Sequence, residues 1–493
     1  MLSFNLLNRE WIPVTDREGR GRFVGIREAL SQAHDLDRID PASPLAEAAL
    51  YRLLLAVLHR ALRAPATPED VLDLYKAGCF PTSDLEAYFR QWADRFDLFS
   101  PDMPFFQVPN LPDHNPMPWT KLLPERASGN NPTLFDHTFD DSPPPVSPAE
   151  AAVALLVHQT FTPGGLIKQL GVTSGPAAPV ASAALFIPQG MTLFETLLLN
   201  LVPPYEPDGD QPIWERPPYR AEDVEAGRAR EVLSGRTRMY TWMSRAVRLL
   251  PEPDGTIRRI GYGPGVVPER GPELDPMCAY RQSGNGLQPY KLPLERAFWR
   301  DFEAILPAHK VWRQPRTLDH ARWLLRQVDR ATLLFPLSVV GQITERAKTQ
   351  DVRRETYPLS AQVLEPGEAA RIREALQLAD KVGGVLGETV RILAAGLVAG
   401  NAGRNKDLSR IARSLPLEDT YWSLLDVEFP RFLQQLVEVG TQAALQEWRG
   451  AVSRAVRKAW GLTVRAVGAT ARHLQAVSNA ERKLQTKLRR ILG

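Results

Sequence analysis

Beyond Pro366 the apolar residues change period, and that change constrains the fold more than any other feature of the chain. Ile372, Leu376, Ala379, Val382, Leu386, Val390, Leu393 and Leu397 recur at spacings of three and four, which aligns them along one stripe of a helix that must be covered by other helices. Gly400-Asn401-Ala402-Gly403 ends the run. A second helix is expected from near Glu418, with Pro430 kinking or splitting it. A third is expected over 443–464, and Leu474, Val477, Ala480, Leu484 and Leu488 mark a fourth. Four helices with mostly short connections predict an up-down four-helix bundle over residues 364–493.

Residues 1–363 carry mixed signals, and the chain of 493 residues is too long for one core. The expected class is therefore α+β: a large mixed N-terminal globular domain with long loops, over 1–363, followed by the all-α bundle. Ser43 and Pro44 are placed to start a helix running to Leu62. Further helices are expected at 149–160 and 194–201. Segments 4–7, 11–14 and 22–25 suggest a hairpin. Residues 236–263 alternate as strands around Tyr240, Trp242 and Val247–Leu249, with Pro253-Asp254-Gly255 as the turn. A short apolar run, Leu333–Val340, suggests the start of a second hairpin. The 43 prolines, against about 25 at ordinary usage, cluster between these periodic segments. They indicate long stiffened loops of the kind that often carry function.

The chain has no run of ~20 apolar residues for a bilayer and no basic-then-apolar leader, so no membrane partner and a cytoplasmic location are expected. Its two cysteines, Cys79 and Cys278, exclude a disulfide framework and multi-cysteine metal sites.

The net charge of +3 conceals an asymmetry. Residues 364–493 hold 20 Lys+Arg against 13 Asp+Glu, whereas residues 1–363 hold 40 against 44. Within 449–493, Glu481 alone opposes a series of cations that includes Arg454, Arg457, Lys458, Arg482, Lys483 and Lys487. Cations clustered on helices suit a polyanion; a solvated helix face accounts for them equally well.

Catalytic motifs are absent: no phosphate-binding Gly-x-x-x-x-Gly-Lys loop, no Gly-x-Ser-x-Gly elbow and no His-Glu-x-x-His. Gly261-Tyr262-Gly263-Pro264-Gly265 reads as a loop, since Pro264 removes an amide that a phosphate cradle would use. Asp136, His137, Asp140 and Asp141 could approach a cation, but they run straight into Ser142-Pro143-Pro144-Pro145 and read as a surface loop. His158, on an apolar helix face, reads as a core histidine, and Asp319-His320 has no evident partner. No catalytic residue, metal or cofactor is therefore assigned.

Four segments in order carry a resemblance. They are Phe4-Asn5-Leu6-Leu7-Asn8-Arg9-Glu10-Trp11-Ile12-Pro13-Val14; Met103-Pro104-Phe105-Phe106-Gln107-Val108; Lys121-Leu122-Leu123 with Ser128-Gly129-Asn130-Asn131; and Thr162-Pro163-Gly164-Gly165 before Leu197-Leu198-Leu199-Asn200. The set resembles the large subunit of the type I-E CRISPR surveillance complex, Cascade (the CasA family), over nearly the whole chain. The resemblance implies a non-catalytic subunit. It would contact the crRNA and the backbone, small and handle-binding subunits, inspect double-stranded target DNA for a protospacer-adjacent motif (PAM), help open the duplex and stabilise the R-loop, and recruit a nuclease-helicase in trans.

By the same resemblance, Phe135, with Asn130 and Asn131, corresponds to the crRNA-handle contact, where an exposed aromatic suits stacking. Gly164-Gly165 corresponds to a glycine loop approaching the minor groove, because backbone without Cβ atoms fits a groove ~6 Å wide; a plain tight turn is the other reading. Lys168 follows within reach of a phosphate. Residues 341–354 correspond to a hairpin wedge with Thr344-Glu345-Arg346-Ala347-Lys348 as its tip, the DNA contacts being Arg346, Ala347 and Lys348 and Arg346 standing where some relatives carry glutamine. A basic residue among Arg258, Arg259 and Arg270 corresponds to a minor-groove contact. Two other classes remain: a stand-alone, non-sequence-specific nucleic-acid-binding protein using the basic bundle, and a hydrolase built on the Asp136–Asp141 cluster.

Overall fold

In the computed structural model, Ser43 Oγ accepts from the Leu45 N–H at 3.2 Å and Pro44 occupies the first turn, so the helix Pro44–Ala61 starts where its sequence dictates. The structure describes residues 2–62, 65–126, 141–203, 209–284, 286–398 and 405–492. They divide into two compact units, one of residues 1–298, 309–330 and 335–356, the other of 299–308, 331–334 and 357–493.

The helix Pro44–Ala61 is the axle of the first unit: every residue except Pro44 and Arg60 is buried. A helix buried all round must satisfy its own polar groups. Arg52 does so through Asp275 (2.7 Å), the Met239 carbonyl (3.0 Å) and the face of Tyr240. Glu47 accepts from Gln189 and from Arg354, each at 2.9 Å, and burial pushes its carboxyl above the ordinary range. Arg354 belongs to a long antiparallel hairpin, Phe335–Glu345 and Lys348–Leu359. That hairpin adds to the strand Leu185–Pro188 in the register Leu337↔Pro188 to Val340↔Leu185. It is longer than the expected 341–354, and only Arg346 and Ala347 form its turn.

Elsewhere in this unit the sheets are small. Ile12–Asp16 lies between Gly21–Val24 and Leu36–Ile39, while residues 4–7, expected as strand, contribute only an isolated bridge at Asn5. Arg245–Pro251 and Ile257–Pro264 pair across the Pro253–Gly255 turn. Two expectations fail here. Residues Arg236–Tyr240 form a short helix; local alternation did not register that Arg236, Thr237 and Arg238 are all buried by tertiary contacts. Gly261 and Gly263 lie in a strand rather than a loop. A Cβ on Gly263 would come within 3.0 Å of Leu170 Cδ1, so glycine serves close packing there. Helices Pro68–Ala77, Thr82–Trp92 and Arg316–Gln327 were not anticipated.

The second unit contains the helices Pro366–Val398, Asn405–Ser414, Leu417–Glu438, Thr441–Val467 and Ala471–Leu492. The molecule is thus α+β with a helical C-terminal region. Among the described residues four of these helices are long and one, 405–414, is an unexpected short addition. Pro430 does not split its helix, which is continuous from Leu417 to Glu438. The core is aromatic: Trp299 stacks on Phe429 at 4.9 Å and meets Trp448 edge-on at 6.0 Å. Trp448 Nε1 donates to the Ala375 carbonyl and Tyr421 Oη to that of Ala379. Gly383 admits the Trp422 ring, which would lie 2.4 Å from any Cβ there.

Candidate nucleic-acid interface

The segment after the helix Pro148–Phe161 is built by its glycines. Ser147 and Glu150 cap the helix start reciprocally, and Thr162 closes its end. Gly164 then leads directly into a short hairpin, Gly165–Gln169 paired with Val172–Gly175. The expected tight turn at 162–165 is therefore an entry into a strand, and the turn lies at Leu170-Gly171, both at positive φ (47° and 71°). Lys168 takes φ 53° where the register shifts between Leu166 and Gln169, as in a bulge. A Cβ on Gly164 would press to 3.1 Å from the Ala177 nitrogen. One on Gly165 would have room and would stand 3.9 Å from Ala347 Cβ.

That proximity defines the site. Two elements far apart in sequence, the glycine segment and the long hairpin's tip, border one open cleft of about 450 Å³. Gly164, Gly165 and Leu166 form one wall, Arg346, Ala347, Lys348 and Thr349 another, and Lys121, Leu123, Pro124 and Arg126 contribute a third. Lys121, Arg126, Arg245, Arg346 and Lys348 line the cleft, and among the described residues no carboxylate does. Arg346 and Ala347 occupy the left-handed region (φ 48° and 63°), the geometry of a two-residue type I′ turn that normally takes Asn-Gly.

His158 and Tyr262 lie at its floor. His158 Nδ1 is 3.2 Å from the Leu122 carbonyl and Nε2 is 3.1 Å from Tyr262 Oη. A carbonyl only accepts, so Nδ1 carries the proton and Tyr262 donates to Nε2. Burial, and then the cations Arg245 and Lys121, hold the imidazole down to about 3. It is therefore neutral at physiological pH, a satisfied structural histidine beneath a cationic cleft. His320 likewise bonds the Leu198 carbonyl through Nε2, at 3.1 Å.

The five residues Gly164, Gly165, Arg346, Ala347 and Lys348 thus come together. Lys168 is exposed and does not line the cleft. Arg258 and Arg259 donate to the Pro143 and Asp141 carbonyls, and Arg270 to that of Leu287; none of the three lines the cleft. Asn130, Asn131, Phe135 and the cluster Asp136 to Asp140 lie outside the described residues. Arg245 and Tyr262 were missed as site residues. Arg245 sits inside an alternating strand pattern, and no local signal distinguishes it from a surface arginine.

The family model for CRISPR-associated protein Cse1 matches residues 5–459. The CRISPR-associated protein CasA/Cse1 of Thermus thermophilus is 48% identical over 489 residues, covering 97% of this chain and 96% of that protein. The chain belongs to the Cse1 (CasA) family. This family is the large subunit of the type I-E Cascade. A solved structure of Thermus thermophilus CasA (Cse1) is similar at a TM-score of 0.90 and 45% identity, over 99% of this chain and 100% of that one. A chain in a solved CRISPR RNA-guided surveillance complex shares the fold at a TM-score of 0.79 and 23% identity, over 98% and 100%.

The C-terminal cations of this Cse1 chain follow helix geometry. The helix Thr441–Val467 buries Trp448, Val452, Ala455, Ala459 and Thr463 and turns Arg454, Arg457 and Lys458 outward. In Ala471–Leu492, Val477, Ala480, Leu484 and Leu488 are buried, while Arg482 and Lys483 are exposed. Not all of these charges are equally available. Lys487 pairs with Glu388, holding that carboxyl below its ordinary range, and Arg454 lies 4.0 Å from Glu428.

Proposed function

We propose that this chain reads the PAM in double-stranded DNA at the cationic cleft and starts strand separation there, as the non-catalytic large subunit of an RNA-guided surveillance complex. The observation that carries the reading is the convergence of the glycine segment and the hairpin tip on one cleft whose charged lining, among the described residues, is basic. A duplex presents a phosphate every few ångströms along each strand, so a cleft lined by several cations attracts its backbone. The Gly164–Gly165 backbone offers the least bulk to a narrow minor groove. Arg346 projects from a two-residue turn, where a guanidinium can stack on an unstacked base pair. Lys348 supplies a positioning charge.

The finer partnerships belong to the same proposal: crRNA handle contact through Asn130, Asn131 and Phe135, docking with the backbone, small and handle-binding subunits, R-loop stabilisation, and recruitment of a separate nuclease-helicase. The exposed cations of 454–458 and 482–487 hold DNA without reading it. The test is reconstitution of the complex with and without this chain. Complexes lacking it should lose PAM-dependent duplex binding, and Arg346→Ala with Lys348→Ala should slow strand opening. Unchanged PAM-dependent binding without the chain would overturn the proposal.

A further inference from the structure

The two walls of the cleft are fastened from below by two buried side chains. Arg245, 2% exposed, donates through Nη1 to the Pro176 carbonyl (2.8 Å) and the Ser244 carbonyl (2.7 Å), and through Nη2 to the Pro163 carbonyl (3.0 Å). Pro163 immediately precedes Gly164 and Pro176 immediately follows Gly175, so one guanidinium holds both feet of the short hairpin. Backbone pairing joins the strands on either side of these prolines, at Gly165↔Gly175 and through the Ala178 N–H donating to the Thr162 carbonyl at 2.9 Å; between them the Pro163 and Pro176 carbonyls are taken up by Arg245. Arg245 is itself fixed to the preceding helix: its N–H donates to Gln159 Oε1 at 3.0 Å, and Gln159 Nε2 donates to its carbonyl at 2.8 Å.

Gln342 does the corresponding work in the long hairpin. It is 1% exposed, and its Nε2 donates to the carbonyls of Ala181 (2.6 Å) and Phe161. Phe161 is the last residue of the helix that delivers the glycine segment. Across the hairpin, Thr349 Oγ1 donates to Gln342 Oε1 at 2.9 Å. A single amide therefore braces the tip's two strands and ties them to the foot of the opposite wall.

We propose that Arg245 and Gln342 are positioning residues that preset the glycine segment and the hairpin tip as one rigid unit, so that groove reading and wedge insertion occur as a single docking event. The inference rests on the PAM-reading proposal above. Its physical basis is preorganisation: elements held in register before DNA arrives lose no freedom on binding, and a positional error of about 1 Å can cost up to a hundredfold in a geometry-dependent step. Lysine at 245 keeps the charge but cannot bridge separated carbonyls as a planar fork does. Methionine at 342 keeps the length and removes all three hydrogen bonds.

The test uses the full chain in the reconstituted complex, carrying Arg245→Lys, Gln342→Met or the milder Thr349→Val. Each is measured against closed duplexes with preferred and disfavoured PAMs, and against duplexes already unpaired beside the PAM. Arg245→Lys should compress the ratio between preferred and disfavoured PAMs about tenfold. Gln342→Met should lower closed-duplex binding about tenfold while the pre-opened duplex binds within about twofold. Thr349→Val should shift in the same direction as Gln342→Met by a smaller factor. The double variant should be no worse than the worse single, because both act on one unit. Ratios unchanged from those of the unmodified chain, even with a lowered melting temperature, reduce both residues to ordinary core cross-links and overturn the inference. Fully additive losses overturn it as well. Amide exchange separates this inference from the reading it rests on. If the unmodified complex shows no PAM preference, the reading fails, whereas unchanged protection of 164–175 in Arg245→Lys sinks the clamp whatever the DNA does.

Discussion

Arg346 and Ala347 take a backbone conformation that suits neither. Both have positive φ at the turn of the long hairpin, where a side chain costs about 1–2 kcal/mol relative to glycine. Ala347→Gly should therefore stabilise the hairpin by about 1 kcal/mol, seen as slower amide exchange in 344–349; faster exchange would contradict the strain argument. Gly164 and Gly165 are held to glycine for different reasons. A side chain at 164 meets backbone, whereas one at 165 has room but stands at φ 156° and enters the cleft beside Ala347. Gly165→Ala is accordingly the better probe of groove approach: it should change the ranking of PAM variants, and a uniform loss across all of them would instead indicate local unfolding. The buried imidazoles make a prediction about acid. Burial holds His59 and His158 to about 3 and His320 to about 4, whereas unfolded histidines take up a proton near pH 6.5. The unfolded state then binds more protons below that pH, so stability is full above about 6.5 and falls as pH falls toward the folded values. Each histidine contributes a slope of up to about 1.4 kcal/mol per pH unit. Urea unfolding at pH 7 and 5.5 should show this loss, and His320→Gln should remove about a third of it. A flat dependence would refute it.

At the scale of elements, legibility tracked how local the determining forces are. The helix Pro44–Ala61 and the long C-terminal helices were readable because capping residues and apolar stripes lie within each segment. Arg236–Tyr240 was misread because its polar residues are buried by distant partners, Asp210 taking hydrogen bonds from Thr237 and Arg238 N–H groups. Gly261 to Gly265 read as a loop because it is glycine-rich, yet Gly261 and Gly263 are strand residues, and a Cβ on Gly263 would come within 3.0 Å of Leu170 Cδ1. Pro430 was expected to kink or split its helix; it does not split it, and the buried stripe Tyr421, Leu425, Phe429, Phe432, Leu433 and Leu436 spans the position. The aromatic core of the second unit should be its main source of cohesion. Trp448→Ala should cost about 3–5 kcal/mol and lower the melting temperature of the helical unit; a loss under about 1 kcal/mol would show that the cluster repacks.

Across the whole molecule, the proposed reading puts charge and recognition in different places. The first unit is acidic in sum, yet among the described residues the charged side chains lining its cleft are all basic; net charge averaged over a domain conceals such a local field. The helical unit carries the overall positive balance on outward faces. Replacing Arg482 and Lys483 by glutamine should weaken binding similarly across PAM variants. It should also flatten the salt dependence by about one unit of slope for each phosphate no longer neutralised. Lys487→Gln should flatten it less, because Glu388 already neutralises that ammonium. Salt titrations of the three variants check this order, and a change in PAM ranking on neutralising Arg482 and Lys483 would reverse the division of roles.

By itself the sequence determined the α+β class, the long C-terminal helices, the outward placement of their cations and the family. Each of these follows from periodicity, capping or ordered motifs within continuous segments. The tertiary structure alone decided that Gly165 faces Ala347, that Arg245 underlies the cleft rather than the surface, and that Gln342 bridges two walls. Such contacts join residues far apart in the chain through backbone carbonyls, which every residue possesses and which leave no mark in composition or spacing.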